Sequence, residues 1–184
     1  MSTCIVSFSS RADGNCSQIG KLLCSLIQDA VLFDFSEFEV HPCGKCDYDC
    51  FISRDKCPYI GDMEYHLLDA VTNSERTYFI LPNYCDYPCA NYFIFNERSQ
   101  CYFQGRPELL ESYENVSKRF IVISNTNEDN FKQVLAYHTE DEPQVLYLSA
   151  KRYGKTSIKG DLLTNEKVVT DIVDFIEQHM MDDL

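Results

Sequence analysis

The sequence predicts a three-layer, doubly wound α/β sandwich on a five-stranded parallel sheet. Short unbroken apolar runs alternate along the chain with stretches whose apolar residues recur at helical spacing. Uniformly apolar strands belong to a sheet covered on both faces. Right-handed crossovers then leave the doubly wound arrangement. The 184 residues fit one domain, 1–184, without internal repeat, low-complexity tract or linker.

The first apolar run is Cys4 to Phe8, ending in a polar, glycine-containing turn from Ser9 to Cys16. A helix follows, with Ile19, Leu22, Leu23, Leu26 and Ile27 on one buried face. The second run spans Ala30 to Phe35. A cysteine-rich insertion loop around 41–60 leads to a second helix with Met63, Leu67, Leu68 and Val71 on one face. The third run, Thr77 to Leu81, is predicted to stop at Pro82. The fourth is Arg119 to Ile123 and the fifth Gln144 to Ser149. The last helix carries Val168, Val169, Ile172, Val173 and Ile176 and ends in an acidic tail. Five strands in this length favour the flavodoxin-like order over the longer six-stranded dinucleotide fold.

Charge narrows the function classes. Lys and Arg number 16 against 29 Asp and Glu, a net charge of −13. Such a field repels a phosphate backbone and an anionic membrane, so neither nucleic acid nor membrane is expected as a partner. Any bound phosphate must be held by local backbone donors and a few placed cations. No apolar run approaches the roughly 20 residues of a membrane span. The opening segment MSTCIVSFSS lacks the pattern of a secretory signal, and the chain reads as cytoplasmic. Of ten cysteines, Cys4, Cys24 and Cys101 read as small core or surface thiols.

In a doubly wound sheet the ligand sits outside the carboxyl ends of the strands, at the switch point. The loops after the first, third and fourth strands therefore share one crevice. In the first of them, Ser9 to Ser17 joins a buried strand to a helix N-terminus, whose free amides suit a phosphate. Gly14 permits a turn with positive φ, Arg11 offers a charge-assisted pair, and Ser9 and Ser17 offer hydroxyls. The same residues also read as a plain Asp13-Gly14 turn, a helix cap at Ser17 and a solvated arginine.

Ser9-x-Arg11-x-x-Gly14-Asn15-Cys16 resembles the phosphate loop of the NAD(P)H-dependent FMN reductase and iron–sulfur flavoprotein group of the flavodoxin-like superfamily. That group reads Ser-Pro-Arg-x-x-Gly-Asn-Thr/Cys here; Ser10 stands in place of the proline. The resemblance implies that Ser9, Arg11, Asn15 and Cys16 hold the phosphate of FMN through side chains and backbone amides, with Gly14 and Ser17 as further candidate cofactor-binding residues of the same loop. It also implies hydride or electron transfer at the flavin, NAD(P)H as co-substrate, no catalytic side chain, and a homodimer with the flavin near its interface.

The third-strand loop, Pro82, Asn83, Tyr84, Cys85 and Asp86, is similar to the Ser/Thr-Pro-Val-Tyr-Phe-Gly segment that lines the flavin ring in the same group. Pro82 and Tyr84 match; Asn83, Cys85 and Asp86 depart, and the glycine after Tyr84 is missing. Pro-Asn-Tyr also reads as an ordinary turn. Ser124, in the polar turn Ser124-Asn125-Thr126-Asn127, reaches the same rim, as a ring donor or as a cap for a segment starting near Asp129. Cys85 and Cys89 fall close to the expected ring and read either as packing thiols, the favoured reading, or as thiols that shuttle electrons.

Cys43, Cys46, Cys50 and Cys57 are candidate metal ligands, since thiolates bind iron–sulfur clusters and tetrahedral zinc. They are similar to the compact cysteine motif of iron–sulfur flavoproteins but spaced by two, three and six residues. A Cys43–Cys46 redox disulfide is the other reading, and His41 reads as a surface histidine. Lys151, Arg152, Lys155 and Lys159 form a basic patch, either solvated or steering NADPH or an acidic redox partner. Two further functions stay open on these residues. One is an electron carrier with FMN and an iron–sulfur cluster. The other is a cofactor-less flavodoxin-like binding module with a thiol or zinc switch.

Overall fold

The computed structural model describes residues 2–44, 46–126, 135 and 143–182. Five strands run parallel: β1 (Thr3–Ser7), β2 (Ala30–Asp34), β3 (Arg76–Tyr84), β5 (Ser117–Ser124) and β6 (Gln144–Ser149). Their order is β2-β1-β3-β5-β6, and the two-residue β4 (Tyr87–Pro88) pairs antiparallel with the end of β3. This is the predicted flavodoxin-like order, whose switch point lies between β1 and β3.

Strand alternation splits the core in two. Ile5, Tyr78, Ile80, Ile121 and Ile123 face α1 (Asn15–Leu26) and α5 (Glu166–Asp182), meeting Ile19, Leu23, Val168 and Ile172. Val6, Phe79, Leu81, Phe120 and Val122 face α2 (Met63–Thr72), α3 (Ala90–Phe103) and α4 (Pro107–Asn115). Phe8, just past β1, keeps an amide bond to Ile80 O at 3.0 Å and joins the second cluster. Gly20 lets α1 approach the sheet, because a Cβ there would lie 2.8 Å from Leu32 Cδ1.

The expected stop at Pro82 is not where β3 ends. The strand continues to Tyr84, and Pro82 pairs in register with Ile123. Ile80 bonds toward β1, so its alternate neighbour Pro82 faces the same side, where β1 pairing has already ended at Ser7. A missing N–H costs no ladder bond there.

Helices α3 and α4 escaped the sequence reading. The buried face of α3 mixes Tyr92, Phe95 and Cys101 with Arg98, so no clean apolar stripe marks it. Arg98 is buried because its Nη1 donates to Asp62 Oδ2 at 2.7 Å and to His41 O at 2.6 Å. In α4 the buried residue is Tyr113. The segment expected near Asp129 lies outside the described residues. Among the described residues no helix is long and apolar enough to cross a membrane.

Candidate functional site

The loop after β1 is tied around one carbonyl. Arg11 O accepts from the Gly14 amide at 3.0 Å and from Ser17 Oγ at 2.9 Å, while Ser9 Oγ accepts from the Arg11 amide at 3.2 Å. The expectation of a positive φ at Gly14 is corrected: it is extended, with φ −76° and ψ 163°. Space, rather than handedness, explains its glycine, since a Cβ would sit 3.0 Å from Arg11 O and 3.2 Å from Arg11 Cβ. Gly14 is also the N-cap residue of α1, a place the sequence had offered to Ser17. Its lack of a capping side chain matters. The amides of Asn15, Cys16 and Ser17, in the first turn, make no hydrogen bond to another described residue.

The segment after β6 covers this loop. Arg11 Nη1 donates to Ile158 O at 2.8 Å, and its Nη2 lies 3.6 Å from Asp13 Oδ1. Asn15 works in both directions: Nδ2 donates to Ser157 O at 2.7 Å, and Oδ1 accepts from the Leu162 amide at 3.0 Å. Gln18 Nε2 donates to Asp13 O at 2.9 Å and Gly160 O at 2.7 Å. Asn125 Oδ1 accepts from the Ser157 amide at 2.8 Å. Within the basic patch Lys155 lies 3.3 Å from Asp161 Oδ2 and donates to Thr164 Oγ1 at 2.7 Å, and Lys151 and Lys159 are exposed.

At the end of β3 the chain reverses through Cys85 and Asp86, both left-handed at φ 53° and 66°. Two consecutive positive φ values between paired Tyr84 and Tyr87 make a type I′ hairpin turn. Asn83 Nδ2 donates to Ser124 Oγ at 3.1 Å and to Tyr147 Oη at 2.7 Å; Thr126 Oγ1 lies 3.0 Å from Ser124 Oγ and 3.2 Å from Tyr147 Oη. This polar knot joins the carboxyl ends of β3, β5 and β6. Asn83 Oδ1 is buried without a partner among the described residues. Tyr84 and Tyr87 stand 59% and 61% exposed.

These segments enclose a cleft of about 50 Å³ lined by Ser9, Arg11, Gly14, Asn15 and Cys16, by Pro82, Asn83 and Tyr84, and by Ile123, Ser157 and Ile158. Ser17 lies behind it, Cys85 and Asp86 at the hairpin tip, and Ser124 one hydrogen bond beyond Asn83. The volume is below the roughly 300–1,000 Å³ that encloses a drug-sized ligand. It suits a phosphate-sized group, with anything larger resting on the exposed rim. Burial pushes the Cys16 thiol far up, helped by Cys89 and Asp34. Cys89 is also raised by burial and donates to Phe8 O at 3.2 Å, whereas Cys85 is exposed. The thiols of Cys16, on the cleft wall, and of Cys89 therefore favour the protonated form at neutral pH.

The cysteine loop carries two short 3₁₀ turns, Asp49–Phe51 and Arg54–Lys56. Cys50 and Cys57 turn inward while Cys43 and Cys46 stay partly exposed. Among the described residues no group of three or more His, Cys, Asp or Glu side chains is placed to hold a metal ion, the candidates Cys43, Cys46, Cys50 and Cys57 included. Cys50 instead meets Cys101 of α3, Sγ to Sγ at 3.1 Å, a partner no local motif announces. His41 stacks on Tyr59 at 4.7 Å with its Nδ1 3.7 Å from Asp62.

No protein-family model and no curated protein matches the sequence. Solved structures do match the fold. One is the flavoenzyme NAD(P)H:(acceptor) oxidoreductase FerB of Paracoccus denitrificans, at TM-score 0.54 and 15% identity, covering 97% of this chain and 98% of that one. Another is Smu.1420 of Streptococcus mutans UA159, at TM-score 0.60 and 16% identity, covering 94% of this chain and 98% of that one.

Proposed function

We propose that this chain is a flavoprotein that binds FMN non-covalently and passes hydride or electrons from NAD(P)H to an acceptor. The observation that carries the reading is the row of amides at Asn15, Cys16 and Ser17, which bond no other described residue, beside Arg11 at the β1/β3 switch point. A helix N-terminus with open amides and a nearby guanidinium favours a phosphate despite a net charge of −13. The flavin would supply the redox chemistry itself. Ser9, Arg11, Gly14, Asn15, Cys16 and Ser17 hold the phosphate end, and Pro82, Asn83 and Tyr84 border the ring. Asn83 Oδ1, buried and unpartnered, is an acceptor for a ring N–H, with Ser124 holding its amide group in place. FerB is described as a flavoenzyme NAD(P)H oxidoreductase of the same fold, which supports the reading.

Tyr84 and Tyr87, exposed at the cleft rim, supply flat apolar cover for one ring face and leave the other to a second copy of the chain. The reading thus includes a homodimer, and ten free thiols fit a reducing, cytoplasmic setting.

Adding FMN to the purified protein is expected to quench flavin fluorescence and raise the melting temperature, and NADPH or NADH should then bleach the bound flavin's absorbance. A second reading, a cofactor-less binding module, draws on the engagement of Arg11 and Asn15 with carbonyls of 157–158 and on the narrow cleft. A protein that neither quenches FMN nor gains stability from it sinks the flavoprotein reading and leaves the second.

A further inference from the structure

The Cys50–Cys101 contact joins residues 51 positions apart, one on the Asp49–Phe51 turn and the other in the second half of the 14-residue α3. Both thiols are nearly inaccessible, at 4% and 5% exposure. Beside them lies a cavity of about 370 Å³ lined by Cys43, Cys46, Cys50 and Cys101, with Glu97 and Gln100 of α3 on its wall. Four sulfurs thus share one space, two partly exposed and two buried. A disulfide needs its sulfurs about 2.05 Å apart. From 3.1 Å the pair must close by about 1 Å, a movement that falls to the three-residue turn rather than to the helix.

We infer that Cys50 and Cys101 are a disulfide-forming pair, oxidised by a low-molecular-weight disulfide that enters the thiol-lined cavity through Cys43 and Cys46. The Cys46 thiolate attacks one sulfur of the reagent; the reagent's S–S bond breaks and one thiol leaves. Cys43 attacks the Cys46 sulfur of the mixed disulfide and expels the second thiol, leaving a Cys43–Cys46 bond. Cys50 opens that bond, Cys101 closes on Cys50, and Cys43 and Cys46 return as thiols. Two electrons pass from the Cys50 and Cys101 sulfurs to the reagent, and their two protons leave on its two thiols. Burial raises Cys101 strongly, with Cys50 adding to the effect, and burial raises Cys43 as well. Both stay protonated at neutral pH, so exchange accelerates as pH rises.

The test uses the whole protein without flavin, so its result stands apart from the function proposed above. The protein is incubated with glutathione disulfide, alkylated, digested without reduction and mapped by mass spectrometry. A peptide linking Cys50 to Cys101 is expected, lost on adding dithiothreitol and absent from Cys50→Ser and from Cys101→Ser. The Cys43→Ser/Cys46→Ser double variant should form it at least tenfold more slowly. Should either single variant fail to fold, the wild-type map decides alone. Alkylated Cys50 and Cys101 alongside glutathione retained on Cys43 or Cys46 would overturn the pair. An unchanged rate in the double variant would overturn the entry route.

Discussion

Gly160 lies so close to Asp13 that a Cβ on it would fall 2.3 Å from the Asp13 carbonyl oxygen. It also adopts φ 68°, a left-handed conformation in which a side chain is strained. The two facts make glycine a requirement where the segment after β6 crosses the loop after β1. The Gly160→Ala variant is expected to lose about 2 kcal/mol or more, of which roughly 1–2 kcal/mol is the left-handed strain. Urea denaturation measures it, and wild-type stability in the variant would contradict the contact.

Arg11 is the placed cation of the proposed phosphate site, about half exposed and held by Ile158 O. A charge-assisted bond to a phosphate is worth more than a bond to a carbonyl. Arg11→Ala should therefore weaken FMN binding roughly 10- to 100-fold while changing the stability of the flavin-free protein by less than about 1 kcal/mol. Fluorescence titration and denaturation read the two separately. Equal FMN affinity in the variant would remove Arg11 from the site.

The hairpin after β3 invites a gain. Cys85 occupies the first left-handed position of a type I′ turn, for which asparagine followed by glycine is the favoured pair. Replacing Cys85→Asn and Asp86→Gly together should stabilise the protein by about 1 kcal/mol. A shift of the urea midpoint to higher concentration, with unchanged slope, is the expected reading; a loss would exclude this turn type.

The fold was legible wherever apolar periodicity is local. Every parallel strand appears near its predicted run, and in the central strands β1, β3 and β5 burial on both faces explains the unbroken apolar series. It failed at α3, where Arg98 occupies a buried position made tolerable by partners distant in sequence, the Asp62 carboxylate and the carbonyls of His41 and Tyr59. The first loop was legible as a set of residues but not as a geometry. Asn15 reads as part of a phosphate motif, yet its two carboxamide bonds go to Ser157 and Leu162, 142 and 147 positions away. Gly14 was read for handedness when its role is space. Cys101 looked like an isolated thiol because nothing in its neighbourhood in sequence points to Cys50.

Glu64 makes stability depend on pH. Its side chain is fully buried in the first turn of α2, and neither carboxylate oxygen has a hydrogen-bond partner among the described residues. Burial pushes its pKa well above the ordinary range; Arg98 opposes the shift, but that guanidinium is bonded to Asp62, whose charge reinforces it. The unfolded chain ionises Glu64 near about pH 4.3. Above that pH the folded state holds a proton that the unfolded state has released, so stability falls as pH rises until the raised folded value is reached. One such group contributes a slope of at most about 1.4 kcal/mol per pH unit. Glu64→Gln keeps the shape and removes the ionisation. The variant should match the wild type near pH 4, exceed it at pH 7 and show a flatter profile between them. Denaturation curves measured across that window decide the matter, and parallel profiles for the two proteins would mean that Glu64 ionises in the folded state as it does in the unfolded chain.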